Sequence, residues 1–258
     1  MIVSSDVPTL AESVLSLVGY LSRVTTQFYL HAPLATRYPP PGEGSKPLIV
    51  MLHGYAGTVG EFDYLYHHLR RTVGEVFDFG LVDLLDPEMR DAPEAHLWRL
   101  DAYLEAYRLT TRDLYFLCYS LSGLIARCYT HRGNAAARVR ALTMIATPNG
   151  GINWWNLLPI HWMRSAGFHT RFNAVYPALS TIRYQLLAGT KGANLVEGLP
   201  NDGVVGRWSV ETLLDCADQD AAIVTCCYPL DHWALLRDPR VAADIAAFFQ
   251  RVWAGQPG

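Results

Sequence analysis

Residues 113–132 read DLYFLCYSLSGLIARCYTHR and combine a strand pattern with a helix pattern across one sharp turn. Its first half is a continuous apolar run, typical of a β-strand covered on both faces, and its second half has helical spacing of apolar residues. Ser120 stands at the sharp turn between them, with small side chains at Cys118 and Ser122. A hydroxyl at such a turn projects clear of the sheet, and the Leu121 N–H can stabilise a negatively charged oxygen.

A second interpretation of Ser120 is equally simple. Serine is a favoured residue at the N-terminal cap of a helix, and Ser120 directly precedes one. A short motif by itself does not choose between a cap and a nucleophile. The choice therefore depends on which residues follow the other strands.

The same buried-strand pattern recurs along the chain, and segments long enough for a crossover helix separate most of the runs. This alternation predicts an α/β fold with a mostly parallel central sheet and helices on both faces. The predicted strands are 47–52, 76–82, 113–118, 140–146, 183–189 and 222–228. The predicted helices are 60–72, 94–108, 121–132, 208–217 and 239–253.

Two regions depart from the alternation within what we expect to be one domain spanning 1–258. Residues 1–46 combine an amphipathic helix at 9–24, opened by a Thr9–Glu12 capping box, with a proline-rich connection. Residues 149–182 are too long and too apolar for a plain loop, which predicts an inserted cap or lid.

Composition, charge and cysteine content exclude several classes of partner and site. The chain has 258 residues, of which 50% are hydrophobic and 17% charged, as in compact soluble proteins. A net charge of −3 without runs of like charge argues against nucleic acid or a polybasic membrane patch as partner. Five cysteines without a C-x-x-C pair argue against a disulfide framework or zinc site. We expect no cofactor and single out no metal ligands, and the sequence leaves calcium dependence open.

Neither a signal peptide nor a transmembrane segment is visible in the sequence. We therefore expect a cytoplasmic protein, and a secreted protein whose leader has been removed is the open alternative. The sequence leaves the oligomeric state open.

The strand at 47–52 runs directly into His53-Gly54-Tyr55-Ala56-Gly57. Acyl transfer needs two backbone donors for the developing oxyanion, one beside the nucleophile and one from another loop. A glycine-containing loop can present the Tyr55 N–H for this purpose, and a simple strand-ending turn is the alternative. We interpret His53 as a support for this loop rather than a general base.

A carboxylate and an imidazole follow the last two predicted strands. Serine is a poor nucleophile at neutral pH, so it needs an imidazole to accept its proton and a carboxylate to orient that imidazole. Asp202 follows the strand at 183–189 and His232 the strand at 222–228, giving the order Ser, Asp, His. Glu197 and Asp231 are alternative carboxylates, and we favour Asp202 from its loop position.

Histidines elsewhere compete with His232 for the role of base. Most fall in segments that we expect to lie far from the site, but position alone does not exclude His161 and His169 in the cap. No H-E-x-x-H spacing occurs, which argues against a metallohydrolase.

Taken together, these motifs resemble the α/β-hydrolase superfamily and, more narrowly, bacterial lipases and esterases. The resemblance runs from about Leu48 to Phe249 and is carried by LIVMLHGYAGT, LYFLCYSLSGLIARCY, MIATPNGG, NDGVV and DHWALL, in this order. It implies an α/β-hydrolase fold, Ser120 as nucleophile, Asp202 as acid and His232 as base. It further implies an oxyanion hole formed by the N–H groups of Tyr55 and Leu121, and a lid after Pro148.

The turn at residues 118–122, which we call the elbow, departs from this pattern at three positions. Cys118 and Ser122 replace the two expected glycines, and Tyr119 stands where these lipases usually carry histidine. An altered elbow geometry or an inactive relative therefore stays open.

The predicted cap is rich in aromatic residues. Trp154, Trp155 and Trp162 are candidates to line an acyl pocket, and packing within the cap's own core is the alternative. Either way an apolar roof over Ser120 favours small-molecule or lipid esters with apolar acyl groups as substrates.

The sequence therefore predicts a serine carboxylic-ester hydrolase that works through an acyl-enzyme. A thioesterase, amidase or acyltransferase with the same triad is one alternative. A non-catalytic relative that binds an apolar ligand is another.

Overall fold

The computed structural model describes residues 38–42, 44–55, 57–84, 92–152, 163, 167–192 and 200–255. The predicted helix at 9–24 and most of the region 1–46 lie outside the described residues, as do Trp154, Trp155 and Trp162 of the predicted cap. Of that cap, the structure describes 149–152, 163 and 167–182.

Six strands form one sheet in which every neighbouring pair is parallel. The strands are β1 Leu48–Leu52, β2 Asp78–Val82, β3 Leu114–Tyr119, β4 Val139–Ile145, β5 Arg183–Gly189 and β6 Ala222–Tyr228. Their order across the sheet is β2-β1-β3-β4-β5-β6. The predicted parallel sheet is confirmed, and each strand begins and ends within about two residues of its predicted bounds.

Seven α-helices are seen among the described residues: α1 Asp63–Val73, α2 Leu97–Ala106, α3 Ser122–Thr130, α4 Ala135–Arg138, α5 Phe168–Val175, α6 Arg207–Glu211 and α7 Pro239–Trp253. Single 3₁₀ turns cover Val59–Phe62, Pro93–His96, Thr212–Cys216 and Ala234–Leu236. Three predicted helices thus divide into a 3₁₀ turn and an α-helix, and α4 and α5 were not predicted.

The core consists of two apolar layers, one on each face of the sheet. Alternate residues of β1 separate into the two layers, with Val50 on one face and Ile49 and Met51 on the other. Helices α2 and α3 contribute to the first layer, and α1 and α7 to the second. Because both faces are covered, the strands read as continuous apolar runs rather than as alternating patterns.

Parallel register brings the carboxyl ends of the strands to one edge. Leu52 pairs with Cys118, and Tyr119 pairs with Ile145. Gly189 pairs with Tyr228 at the ends of β5 and β6. The loops that continue from these strands therefore meet at one rim, where ligands bind in open α/β sheets.

None of the helices that the structure describes is long and apolar enough to cross a bilayer.

Candidate active site

Ser120 forms a strained turn between β3 and α3. Its backbone has φ +55°, a left-handed conformation that is uncommon outside glycine. The Ser120 N–H donates to the Ile145 carbonyl at 2.7 Å, which ties the turn to β4. Strain of this kind is concentrated at functional sites, because only a rigid surrounding structure maintains it.

The two residues that replace the expected glycines fit the elbow. The Ser122 hydroxyl donates to the Leu52 carbonyl at 2.6 Å and accepts the Tyr119 N–H at 3.1 Å, which joins the elbow to β1. Cys118 is fully buried in the core, and burial raises the pKa of its thiol well above the ordinary value. This thiol stays protonated and is not a reactive nucleophile.

His232 and Asp202 form a buried pair. The side-chain atoms His232 Nδ1 and Asp202 Oδ2 are 2.6 Å apart. The backbone N–H of His232 also donates to the backbone carbonyl of Asp202 at 2.9 Å. The other carboxylate oxygen accepts the N–H groups of Val204 at 2.8 Å and Val205 at 2.6 Å. With the Nδ1 proton directed at Asp202, the His232 Nε2 atom is the acceptor, which is the form a general base requires.

A close approach between two loops creates this pair. A methyl group built on Gly189, the last residue of β5, would lie 2.5 Å from the Leu230 carbonyl oxygen and 2.6 Å from Asp202 Cβ. A side chain at Gly189 would therefore separate the Asp202 loop from the loop that carries His232.

The alternative acids and bases take other positions. Asp231 is exposed, and its carboxylate accepts the N–H groups of Trp233 at 3.0 Å and Ala234 at 2.8 Å, so it caps a turn. His169 is an exposed residue of α5. Glu197 and His161 lie outside the described residues.

Tyr119 connects the elbow to the His232 loop. Its hydroxyl donates to the His232 carbonyl at 3.1 Å, and the two ring centroids are 4.8 Å apart. Within the described part of the chain, the Ser120 hydroxyl forms no direct hydrogen bond to His232. Such bonds are often long without ligand and tighten in the substrate complex. The sequence showed Tyr119 only as a departure from the usual histidine, so this link was missed.

The loop that carries Tyr55 packs against the elbow. A methyl group built on Gly54 would lie 3.1 Å from Ser120 Cβ and 3.0 Å from the Tyr119 ring. The Gly57 N–H donates to the Gly54 carbonyl at 3.1 Å and closes a turn around Tyr55. Gly54, the residue before Tyr55, therefore lies directly beside Ser120 at the rim.

His53 has the supporting role that we expected for it. The Leu84 N–H donates to His53 Nε2 at 3.0 Å, so the proton is assigned to Nδ1, which donates to the Gly54 carbonyl at 2.9 Å. With both ring nitrogens engaged in backbone contacts, His53 orients the loop rather than facing Ser120.

Leu121, the second predicted oxyanion donor, follows Ser120 in the chain and lies at the N-terminal end of α3. Its side chain is buried. No described backbone carbonyl accepts its N–H. First-turn N–H groups of a helix have no partner within the helix, so this one can serve a bound anion.

Among the described residues, no group of three or more His, Cys, Asp or Glu side chains is arranged to hold a metal ion.

One residue near the rim was not singled out from the sequence. Glu61 lies against the Tyr55 loop and places a buried carboxyl oxygen there. Its sequence signal, an acidic residue at a helix start, is too common to indicate a site.

Three solved structures with a similar architecture come from bacteria. The lin2722 gene product of Listeria innocua superposes with a TM-score of 0.58 at 16% identity, covering 80% of this chain and 94% of that one. The mature lipase BlEst2 of Bacillus licheniformis gives 0.56 at 19%, covering 83% and 96%. Est1E of Butyrivibrio proteoclasticus gives 0.54 at 14%, covering 85% and 91%. The chain has the α/β-hydrolase fold.

A scan of protein-family models and a search of curated proteins both gave no match. At these identities the structural likeness concerns the fold, which hosts many chemistries. The function of this chain therefore has to be inferred from the site itself.

Proposed function

We propose that the protein is a serine carboxylic-ester hydrolase that cleaves apolar acyl esters through an acyl-enzyme at Ser120. The observation that carries this proposal is the buried His232–Asp202 pair at 2.6 Å, on the rim where the strained turn presents Ser120. Nucleophilic catalysis by serine needs a carboxylate that orients an imidazole, and an imidazole that accepts the proton of the serine hydroxyl.

In the first step, Ser120 Oγ attacks the ester carbonyl carbon while its proton passes to His232 Nε2. The Asp202 carboxylate stabilises the imidazolium that forms, and two backbone N–H groups keep that carboxylate fixed. The oxyanion of the tetrahedral intermediate is held by the N–H groups of Tyr55 and Leu121.

In the second step, the intermediate collapses and the C–O bond to the alcohol breaks. His232 returns its proton to the departing alkoxide, which leaves Ser120 acylated. Water then attacks the acyl carbonyl with His232 as base, and collapse of the second intermediate releases the acid and restores the Ser120 hydroxyl.

The described part of the cap region supports an apolar acyl group. Ile152, Met163 and Phe168 are partly buried and pack against the same apolar layer that contains Leu121. An acyl chain placed along these side chains would bury apolar surface. Each Å² of apolar surface removed from water stabilises the complex by about 25 cal/mol. The proposed roles of Trp154, Trp155 and Trp162 rest on the sequence.

Steady-state hydrolysis of p-nitrophenyl acetate and octanoate tests the proposal. We expect a higher kcat/KM for octanoate, and a loss of about three to six orders of magnitude in kcat for Ser120→Ala. Ser180→Ala is the matched control, since Ser180 is an exposed serine of the same chain. Equal turnover of the two esters would undermine the apolar specificity, and an active Ser120→Ala variant would refute the nucleophile.

A thioesterase, amidase or acyltransferase would use the same triad with another leaving group or acceptor. Matched ester, thioester and amide substrates with one acyl group separate these activities, and we expect the ester to be turned over fastest.

A further inference from the structure

Glu61 places a carboxyl group directly against the loop that carries Tyr55. It belongs to the 3₁₀ turn Val59–Phe62, which comes after that loop. A methyl group built on Gly57 would lie 2.7 Å from Glu61 Cδ and 2.9 Å from Oε1. The carboxyl group therefore occupies the space beside Gly57 that any larger residue would fill.

This carboxyl group has an oxygen without a hydrogen bond. Although Glu61 as a residue is partly exposed, its Oε2 atom is buried, and no described residue forms a hydrogen bond with it. An ionised carboxylate buried with an unpaired oxygen is costly, whereas a neutral acid tolerates such a position better.

The titratable and charged groups that face Glu61 come from three elements. They are His53 after β1, His232 after β6, and Arg237 after the 3₁₀ turn Ala234–Leu236. Burial raises the pKa of Glu61, while Arg237, the Gly54 backbone and the protonated forms of the two histidines act in the opposite direction. The carboxyl group thus lies within electrostatic reach of the base and against the loop that would hold the oxyanion.

We propose that Glu61 is a positioning residue whose neutral carboxyl group braces the turn Gly54–Gly57, so that the Tyr55 N–H stays aimed at the oxyanion. The inference rests on the proposed function. A negative charge on Glu61 would repel the negative charge that develops on the substrate oxyanion. The carboxyl group that supports the loop therefore has to be neutral. Glutamine has the same shape without an ionisable proton, so Glu61→Gln preserves the brace, whereas Glu61→Ala removes it.

The first test compares these variants by steady-state kinetics across pH. We expect Glu61→Gln to keep kcat within about threefold of wild type, and Glu61→Ala to lose roughly tenfold or more in kcat with little change in KM, because an oxyanion donor is misplaced. Wild-type kcat should decline as the pH rises through the pKa of Glu61, because the carboxyl group becomes charged. The same decline should be missing in Glu61→Gln. The control is Glu105→Gln, an exposed carboxylate on α2. Equal losses in Glu61→Gln and Glu61→Ala, or full activity in Glu61→Ala, would overturn the inference.

The second test does not need activity. Infrared spectra at neutral pH should contain the carbonyl stretch of a protonated carboxylic acid in wild type and in Glu105→Gln, and lack it in Glu61→Gln. Amide exchange at residues 54–57 should be faster in Glu61→Ala than in Glu61→Gln. A missing band, or equal exchange in the two variants, overturns the brace while the proposed esterase can stand. A wild type that shows the band and the exchange difference but hydrolyses no ester refutes the proposed function and retains the neutral brace.

Discussion

At the scale of the residue, the turn between β3 and α3 is formed with Cys118 and Ser122 in place of the two glycines that the resemblance led us to expect. Ser122 adds two hydrogen bonds that a glycine cannot form, to the Leu52 carbonyl and from the Tyr119 N–H. Each such bond contributes about 0.5–1.5 kcal/mol. Neither Cys118 nor Ser122 has a positive φ, so neither position needs the conformational freedom of glycine. The missing glycines are thus compatible with a formed elbow.

Asp202→Asn is predicted to lower kcat by about 10³–10⁴-fold while the protein stays folded. The amide oxygen can still accept the N–H groups of Val204 and Val205, but the amide nitrogen would face His232 and favour the wrong tautomer. Kinetics combined with circular dichroism measure both effects. Asp231→Asn is the matched control, and a larger loss in that variant would assign the acid to Asp231 instead.

Tyr119→Phe is predicted to lower kcat about two- to tenfold with KM nearly unchanged. The variant keeps the ring against the His232 imidazole but loses the hydrogen bond to the His232 carbonyl, which is worth about 0.5–1.5 kcal/mol. The comparison is Tyr107→Phe, at an exposed tyrosine. If both variants retain wild-type kinetics, Tyr119 does not position the base.

At the scale of the element, patterns of buried strands predicted the sheet well, because both faces are covered and each strand is a continuous apolar run. The helix α5 was missed because it is eight residues long and depends on tertiary contacts. Arg127, a buried residue of α3, donates to Asn173 Oδ1 in α5 at 2.8 Å and to Asn149 Oδ1 at 3.0 Å. A local pattern does not encode such distant partners.

Arg127→Met is predicted to reduce the free energy of unfolding by roughly 2–4 kcal/mol, since it leaves the buried amide oxygens of Asn149 and Asn173 without donors. Burial lowers the pKa of Arg127, and no described carboxylate pairs with it, so neutral groups alone hold this cation. Urea denaturation measures the change. Arg132→Met, at an exposed residue, should stay within about 0.5 kcal/mol of wild type. Equal stability of the two variants would contradict the anchoring role of Arg127.

At the scale of the whole molecule, chain topology explains why some of the site was predictable. Ser120, Asp202 and His232 each come after a strand of one parallel sheet, so strand prediction alone placed them on one rim. The contacts of Tyr119 and Glu61 depend on how separate loops pack against each other. No periodicity in the sequence records that packing.

Reaction with a fluorophosphonate, followed by intact mass and peptide mapping, tests most directly whether Ser120 is a nucleophile activated by His232 and Asp202. We predict a single adduct on Ser120 that is absent in Ser120→Ala, forms far more slowly in His232→Ala, and is unchanged in Ser180→Ala. A folded protein that takes up no label, or an adduct that persists in Ser120→Ala, would show that Ser120 is not the activated nucleophile.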